Sequence, residues 1–543
     1  MKQKELAVVL GWVLVAGFIA AAVGLGPLAS PAFAAPPAAK PEQLILAIGD
    51  EATLDGFDPI NGWGTSGPTL FFSTLLRRAQ DMSIVNDLAT DYSVSEDRLT
   101  WKVSIRKDVV FSDGKPLTAR DVAFTFNAAA TGGGLVDLTV LDKAVATSDY
   151  EVELHLKRPQ STFLYRMMTL GIVPEHAYNR ETFNRNPIGS GPYKFVRWDE
   201  GQQLIMESNP LYYGNKPQFE RMVFLFSSED AAFAAAKAGE VHLAAVPNTL
   251  ANQTISGMQM INVKSVDNRG LMFPTRPNRG EKTADGYPIG NDVTSDVYLR
   301  RAVNYLIDRQ ALVEGVLNGY GTPAHTPVSG LPWEEPGAVI KDADPDTARA
   351  ILAEGGWIDT DGDGILEKNG VKAEFSITYP ASENVRQSLA LAVSDMINEV
   401  GINTTVQGKS WDEIEELMHS QVILFGWGSH DQTQIYNLYH SSMGGQGWYN
   451  TGYYSNPKVD EYLDAAMAAA TEDEANMYWR KAQWDGEGNG FATPGDAVWA
   501  WLVNLDHTYF VSQCLDIGPR QIESHGYNWV IATNLEDWKW VCD

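Results

Sequence analysis

Four acidic side chains within nine residues have the spacing of a calcium-binding loop. The run Asp359–Gly364 places Asp at positions one, three and five of such a loop and Gly at position six. Position twelve, where a calcium loop carries a bidentate Glu, is Gly370, and Glu367 falls at position nine. The pattern leaves two hypotheses open, a calcium site and a plain acidic hairpin.

A glycine-rich segment suggests a second chemistry, the binding of a dinucleotide. Gly62–Gly67 fits the pattern G-x-G-x-x-G. In a dinucleotide site a buried strand leads into these glycines, and an acidic partner for the ribose follows about 20 residues later. Neither feature stands out here, so we expect instead a flexible loop that carries Trp63 towards a cleft.

Catalytic motifs are missing from the sequence. It contains no G-x-S-x-G, no H-E-x-x-H and no C-x-x-C. Acidic side chains are so frequent that any pair chosen as the two carboxylates of a glycosidase would be arbitrary. The sequence therefore favours a binding protein over an enzyme, and it indicates no cofactor.

Length and charge narrow the class of protein. A chain of 543 residues is too long for one core and predicts two or three lobes. The net charge of -28 argues against binding to nucleic acid or to anionic lipid. The two cysteines, Cys514 and Cys542, either pair in an oxidising compartment or stay free, because sequence cannot give their separation.

The N-terminus has the pattern of a secretory signal peptide. Lys2 and Lys4 precede an uncharged, mostly apolar run over Leu6–Gly26, and Ala32–Ala34 offers small residues for cleavage before Ala35. The alternative is an uncleaved membrane anchor, because the run is about as long as a spanning helix. We expect a protein exported across the cytoplasmic membrane.

One strand–turn–helix unit organises the middle of the chain. Residues 101–105 alternate between apolar and polar side chains, which predicts a half-buried strand. Ser112–Pro116 predicts a turn, and Thr118 with Asp121 predicts the start of a helix. We also predict a helix over Pro68–Arg78, a helix over Ala381–Val400 and a buried strand over Val422–Trp427.

This unit and three later segments resemble the family 5 extracellular solute-binding proteins, the peptide and nickel receptors of bacterial ABC importers. The matching segments, in chain order, are Trp101–Phe126, Asn186–Gly214, Ser295–Arg309 and Val422–Asp431. We expect glycines 189 and 191 to adopt backbone angles that other residues resist, where the chain returns between lobes.

The resemblance implies an α/β fold of the periplasmic binding protein-like class II, with two lobes around a ligand cleft and an inserted third domain. The expected boundaries are 1–34 for the signal peptide, 35–80, 193–285 and 506–543 for lobe I, 81–192 for the inserted domain and 286–505 for lobe II. The lobes are expected to close over a ligand, which ABC transporter permease subunits then receive from a monomeric protein.

The resemblance also implies ligand contacts. Asp431, in the loop after the strand 422–427, is expected to bind the ammonium group of a peptide, although Gln432 stands where the family has Pro. Arg386 resembles an arginine that clamps a ligand carboxylate, and its alternative is a surface helix arginine. Further expected pocket residues are Trp63, Trp427, His430 and Tyr439.

Three histidines keep a metal-chelate ligand open as the alternative to peptides. His430, His440 and His525 lie in segments that resemble the nickel-type branch of the family. Imidazole suits Ni(II), and a small organic chelator can supply the other donor atoms. Each histidine taken alone is equally compatible with a structural role.

Overall fold

The alternating segment is a strand in the computed structural model of this chain. Trp101, Val103 and Ile105 are buried and Lys102 is exposed, as a period of two predicts. The structure describes residues 39–49, 56–65, 70–132, 136–525 and 529–542.

The predicted turn and helix follow this strand. Gly114 has φ of +86°, which a glycine adopts without a steric penalty. Helix Ala119–Gly132 then begins, and the Asp121 carboxylate accepts a hydrogen bond from the backbone N–H of Thr118 at 2.8 Å. This contact is one half of a capping box.

The described residues contain alternating groups of strands and helices. In chain order the strands are β1 (Leu44–Ala47), β2 (Leu76–Arg78), β3 (Ile84–Asn86), β4 (Ala89–Val94), β5 (Thr100–Ile105), β6 (Leu141–Ser148), β7 (Glu151–Leu156), β8 (Tyr193–Asp199), β9 (Gln203–Ser208), β10 (Arg221–Leu225), β11 (Leu243–Val246), β12 (Met258–Val263), β13 (Asn268–Met272), β14 (Gly321–Pro323), β15 (Glu367–Lys368), β16 (Val371–Lys372), β17 (Glu374–Pro380), β18 (Asn403–Lys409), β19 (Val422–Phe425), β20 (Trp499–Leu505), β21 (His507–Ser512), β22 (Leu515–Asp516) and β23 (Lys539–Trp540). The α-helices are α1 (Ala119–Gly132), α2 (Phe163–Thr169), α3 (Glu229–Ala238), α4 (Val297–Leu306), α5 (Arg309–Gly315), α6 (Pro345–Glu354), α7 (Asn384–Asn398), α8 (Trp411–Leu417), α9 (Thr433–Tyr439), α10 (Pro457–Met467) and α11 (Glu472–Gln483).

A seven-stranded sheet combines strands from the beginning, the middle and the end of the chain. Its order is β12-β21-β11-β1-β10-β9-β8. Strand β1 runs parallel to β10 and β11, and the other pairs are antiparallel. The sheet therefore joins three segments that the sequence assigned to lobe I.

A six-stranded sheet forms the second large layer, in the order β14-β20-β13-β19-β17-β18. The chain passes from the first sheet to the second between β12 and β13, and it returns between β20 and β21. The chain therefore crosses between the two sheets twice. The sequence placed the boundary between lobe I and lobe II after residue 285, whereas strand β13, which ends at Met272, already belongs to the six-stranded sheet. The other boundaries stay predictions.

A four-stranded antiparallel sheet, β4-β5-β7-β6, lies within the predicted insertion. Helix α1 packs on β6 and β7. Buried residues of this sheet, among them Val103 and Val152, share one apolar core with Leu44 and Phe224 of the seven-stranded sheet. The four-stranded sheet thus shares one apolar core with the seven-stranded sheet.

The predicted helix over Pro68–Arg78 is wrong for the described residues, 70–78. Residues 76–78 form β2, which pairs with β3, and the backbone before it bonds to distant segments. The Phe71 carbonyl accepts from Gly191 N at 2.8 Å, and the Ser73 carbonyl accepts from Ile172 N at 2.9 Å. These partners replace the bonds between residues four apart that a helix requires.

Gly189 and Gly191 are needed for a different reason from the one the sequence suggested. Neither is among the residues with a positive φ. A Cβ on Gly189 would lie 2.0 Å from the Phe71 carbonyl oxygen, and one on Gly191 would lie 2.6 Å from the Phe71 carbonyl carbon. Close approach of two backbone segments, and not an unusual backbone angle, excludes a side chain there.

Cys514 and Cys542 form a disulfide, which resolves the alternative left open by the sequence. Their Cα atoms lie 5.0 Å apart, and strands β22 and β23 pair beside the bond. The predicted signal peptide, residues 1–34, lies outside the described residues. Among the helices that are described, none combines the length and the apolar character needed to cross a bilayer.

Candidate functional site

A cavity of about 540 Å³ is bounded by three parts of the chain. The walls come from described residues in the segments 64–65 and 70–87, 165–212, and 519–524 and 530–537, together with His430. His430 is the one described lining residue that comes from the predicted lobe II, and through it this lobe contributes to the cavity. The volume falls within the range of small-molecule sites.

The elements around the cavity are held by long-range contacts. Strand β2 presents Arg77 and Arg78 at the end of a buried apolar stretch, and the β2–β3 hairpin fixes their direction. On the other side, residues 529–537 pack through Trp529 and Leu535 into the main core. The disulfide anchors the end of this C-terminal segment.

Four buried polar atoms of the lining have no hydrogen-bond partner among the described residues. They are Nε of Arg78, Nε2 of His430, Nε of Arg520 and Oε1 of Gln521. A buried donor or acceptor without a partner costs roughly 1–3 kcal/mol. Buried polar groups are normally paired, so a cluster of unpaired ones around a cavity is typical of a ligand site.

The His430 imidazole is neutral. Burial lowers its pKa to about 3, the positive charge of Arg78 acts in the same direction, and a backbone hydrogen bond with Ile522 acts against both. A neutral imidazole carries a lone pair on one ring nitrogen. Its Nε2 can therefore exchange a hydrogen bond with a ligand or bind a metal ion.

Two acidic side chains, Asp87 and Glu536, also line the cavity. Burial raises the pKa of Asp87, which accepts a hydrogen bond from the Tyr213 hydroxyl at 2.5 Å. Burial also raises the pKa of Glu536, whose carboxylate lies 3.6 Å from Arg77. The lining thus carries both cations and anions, and its two acids lie near Arg77.

Asp431 and Arg386, the two charged residues expected to hold a peptide, have protein partners. The Asp431 carboxylate lies 2.9 Å from Nη1 of Arg166, and both side chains are buried. Nη1 of Arg386 donates to the Leu424 carbonyl at 2.8 Å, and its Nε pairs with Glu383 at 2.5 Å. Burial lowers the pKa of Arg386 to about 10. Neither residue lines the cavity.

The three aromatic residues expected at the site also lie outside the cavity lining. Trp63 is 8 % exposed and packs edge-on against Trp529, with ring centroids 5.6 Å apart. Trp427 stacks on Tyr449 at 5.5 Å. Tyr439 is fully buried, and its hydroxyl accepts a hydrogen bond from Trp501 at 3.0 Å.

The three histidines do not come together as one metal-ligand set. His525 lies beside the loop of His430, because its N–H donates to the Gly428 carbonyl at 2.7 Å, and its Nδ1 pairs with Asp267 at 2.8 Å. His440 lies elsewhere, with Nε2 3.5 Å from Asp464. Of the described residues, only one group of at least three His, Cys or acidic side chains converges, and it contains no histidine.

That converging group is the acidic loop predicted from the sequence. Oxygens of Asp359, Asp361, Asp363 and Glu367 lie within 4.8 Å of one another. The ammonium group of Lys372 forms ion pairs with Asp361 and Asp363 and lies 3.9 Å from Glu367. Calcium binding stays a prediction, and a calcium ion would have to displace this lysine.

Arg78 and Arg520 are the cavity residues that the sequence did not reveal. The interpretation of residues 68–78 as a helix hid Arg78, because an arginine at a helix end reads as solvent-exposed. The one available signal was the pair Arg77–Arg78 directly after the apolar stretch 70–76. No local pattern singles out Arg520.

Comparisons with known proteins agree with this fold. The profile of the family described as bacterial extracellular solute-binding proteins, family 5 Middle, matches residues 83–490. Protein XP55 of Streptomyces lividans is 31 % identical over 498 residues, which cover 89 % of this chain and 87 % of that protein. The oligopeptide-binding protein AppA of Bacillus subtilis is 28 % identical, with 86 % of this chain and 89 % of that protein covered.

Among solved structures, NikZ from Campylobacter jejuni in complex with Ni(L-His) is similar, with a TM-score of 0.73 and 25 % identity. The match covers 92 % of this chain and 99 % of NikZ.

Proposed function

The chain belongs to the bacterial extracellular solute-binding proteins of family 5, with the fold of class II periplasmic binding proteins, and on that premise we propose that it is the peptide receptor of an ABC importer. In this proposal the N-terminal segment 1–34 is a cleaved signal peptide. The mature monomer binds short peptides outside the cytoplasmic membrane and delivers them unaltered to the permease subunits.

The observation that carries the peptide proposal is the cavity with its unpaired polar atoms. A short peptide offers carbonyl oxygens, amide N–H groups and two charged ends, which match a lining with donors, an acceptor, cations and anions. AppA of Bacillus subtilis, a relative over most of the chain, is named as an oligopeptide-binding protein.

Closure of the lobes would couple binding to delivery. The lining comes mainly from predicted lobe I and the predicted insertion, whereas His430 comes from predicted lobe II. A solute that contacts both sides gains affinity only when the lobes are together, so it shifts the population towards the closed form. The earlier assignments of Trp63, Arg386, Trp427, Asp431 and Tyr439 as ligand contacts stay predictions.

Native mass spectrometry of the purified protein tests the proposal. We expect a population heavier than the polypeptide by the mass of a peptide of a few residues, which disappears after partial unfolding and dialysis. Isothermal titration of the stripped protein with di-, tri- and pentapeptides should then show saturable binding. Absence of binding for all peptide lengths would contradict the peptide proposal.

A nickel chelate is the second candidate, and His430 is the observation that favours it. Its neutral ring and unpaired Nε2 are in the form that binds a metal ion. NikZ, 25 % identical, was solved in complex with Ni(L-His). Titration with Ni(II) plus L-histidine should show binding that His430→Gln removes and that the control His155→Gln, in the insertion, leaves unchanged.

A further inference from the structure

We propose that Arg78 and Arg520 form a subsite that binds a carboxylate of the transported solute. This inference rests on the proposed function, because it concerns how the same cavity holds its ligand. It assigns the carboxylate to residues other than Arg386, which the sequence had suggested.

Arg78 has protein partners for Nη1 but none for Nε among the described residues. Its Nη1 donates to the Met82 carbonyl at 2.7 Å and approaches Glu472 at 3.4 Å. The guanidinium lies over the Trp333 ring at 5.2 Å, and the side chain is only 7 % exposed. Its buried Nε has no partner among the described residues, so the group is fixed in place with a donor unused.

Arg520 repeats this arrangement from the C-terminal segment. Its Nη1 bonds to the Asn534 side chain, and its Nη2 donates to the Val530 carbonyl at 3.1 Å and to Thr533 at 3.4 Å. An ion pair of 3.6 Å links it to Glu523. Its Nε is likewise buried without a partner in the described part of the chain.

Both arginines stand around His430. The charge of Arg78 contributes to the lowered pKa of His430, and the backbone of Ile522, two residues after Arg520, bonds to the same imidazole. Gln80, two residues after Arg78, donates to the Arg520 carbonyl at 3.4 Å. Arg78 and Arg520 therefore lie close to His430 at one end of the cavity lining.

An oxyanion is the ligand group that satisfies this end. Two fixed cationic donors make charge-assisted hydrogen bonds with a carboxylate, which neutral acceptors match less well. The protein supplies only part of the counter-charge, because Glu523 is shared with His507, whose Nδ1 lies 2.7 Å away. His430 is neutral and adds no third cation.

The two acidic lining residues set the direction of the ligand. Asp87 and Glu536 line the cavity on the side of Arg77, so a carboxylate placed there would meet like charge. The arginine end is the favourable one for the anionic group. A peptide C-terminus and the carboxylate of a metal-bound amino acid share this chemistry.

Paired probes that differ only in the carboxylate test the subsite. Isothermal titration would compare Ala-Ala-Ala with its C-terminal amide, and Ni(II) plus L-histidine with Ni(II) plus histidinamide. We expect the acid of the binding pair to be favoured by roughly 10- to 100-fold. Arg78→Gln and Arg520→Gln should abolish this preference, whereas Arg349→Gln, at an exposed arginine outside the cavity lining, should keep it.

Each outcome separates the two claims. Equal affinity for acid and amide in the unmodified protein overturns the carboxylate subsite and leaves the receptor function standing. If only the nickel chelates bind, the peptide proposal is overturned. A preference for L-histidine over histidinamide then supports the carboxylate subsite, and equal affinity overturns it. Binding of none of the four probes overturns both. Arg78→Lys, which keeps the charge but removes Nε, should lose the preference if thermal unfolding shows that it is folded.

Discussion

Two groups of buried arginines in this protein differ in how their hydrogen-bond donors are satisfied. Arg386 and Arg166 lie outside the cavity lining, and each has a carboxylate within 2.9 Å. Arg78 and Arg520, in the cavity, have acids only at 3.4 and 3.6 Å and keep a buried Nε without a partner. The first pair resembles structural cations, and the second pair resembles cations prepared for a ligand.

This difference matters because a buried guanidinium is costly without partners. When the protein supplies the partners, removal of either member destabilises the fold. When a donor is left open at a cavity, the cost is recovered on binding, so mutation should affect affinity more than stability. The following predictions test this division in order of expected effect.

The largest effect should come from breaking the ion pair of Arg166 with Asp431. Asp431→Asn leaves a buried cation without its counter-charge, and we expect a loss of roughly 3–5 kcal/mol in the free energy of unfolding, measured with urea. At temperatures where the variant is folded, its affinity for a peptide should stay within a few-fold.

The matched control is the exposed ion pair of Arg349 with Asp346. Asp346→Asn should change the free energy of unfolding by less than about 1 kcal/mol. If Asp431→Asn instead keeps full stability and loses peptide binding, then Asp431 is the ammonium partner that the sequence suggested. The pair of Arg166 with Asp431 would then not be a structural one.

Removing the disulfide should have the second largest effect on stability, and the segment that it ties down contributes to the cavity. Replacing Cys514 and Cys542 by Ser opens a loop with a sequence separation of 28, which corresponds to roughly 3–4 kcal/mol of loop-closure entropy. Because the tied segment includes cavity residues 529–537, affinity for the solute should also fall. An unchanged urea midpoint would show that the tail is held by packing alone.

The smallest effect should be a pH dependence of stability that comes from His507, the first residue of β21, where the chain returns to the seven-stranded sheet. Burial alone would lower the pKa of His507, but hydrogen bonds and charges of Asp267 and Glu523 outweigh it and raise the pKa to about 10. A raised folded-state pKa gives stability that is complete below pH 6.5 and is lost as pH rises towards 10.

The expected contribution of His507 is roughly 1.5–3 kcal/mol, that of a hydrogen bond to a charged group. Urea unfolding between pH 6 and pH 10 should therefore show a decline that His507→Gln flattens. A decline of equal size in the variant would assign the pH dependence to other groups.

Local patterns predicted the elements that depend on local sequence. The alternation of residues 100–105 and the cap at Thr118 gave a strand and a helix start where the structure has them. The helix prediction failed for residues 70–78, because apolar spacing cannot distinguish a helix from an irregular segment whose backbone pairs with Gly191 and Ile172. Those partners lie far away in the chain.

The site was harder to predict for the same reason. Family-like segments led to Asp431 and Arg386, whose partners Arg166 and Leu424 come from other elements and are invisible to local spacing. Only His430, among the expected residues, lines the cavity. Whether a buried arginine has protein partners for its donors depends on the fold. Sequence alone therefore could not separate arginines paired within the protein from arginines with an unpaired donor.

A crystal structure of the protein with a bound solute tests the central claim most directly. The account predicts that the solute carboxylate lies about 2.7–3.2 Å from Nε of Arg78 or Arg520, beside His430, while Arg386 keeps its contacts with Glu383 and Leu424. A carboxylate bound at Arg386, with Arg78 and Arg520 facing only water, would contradict it.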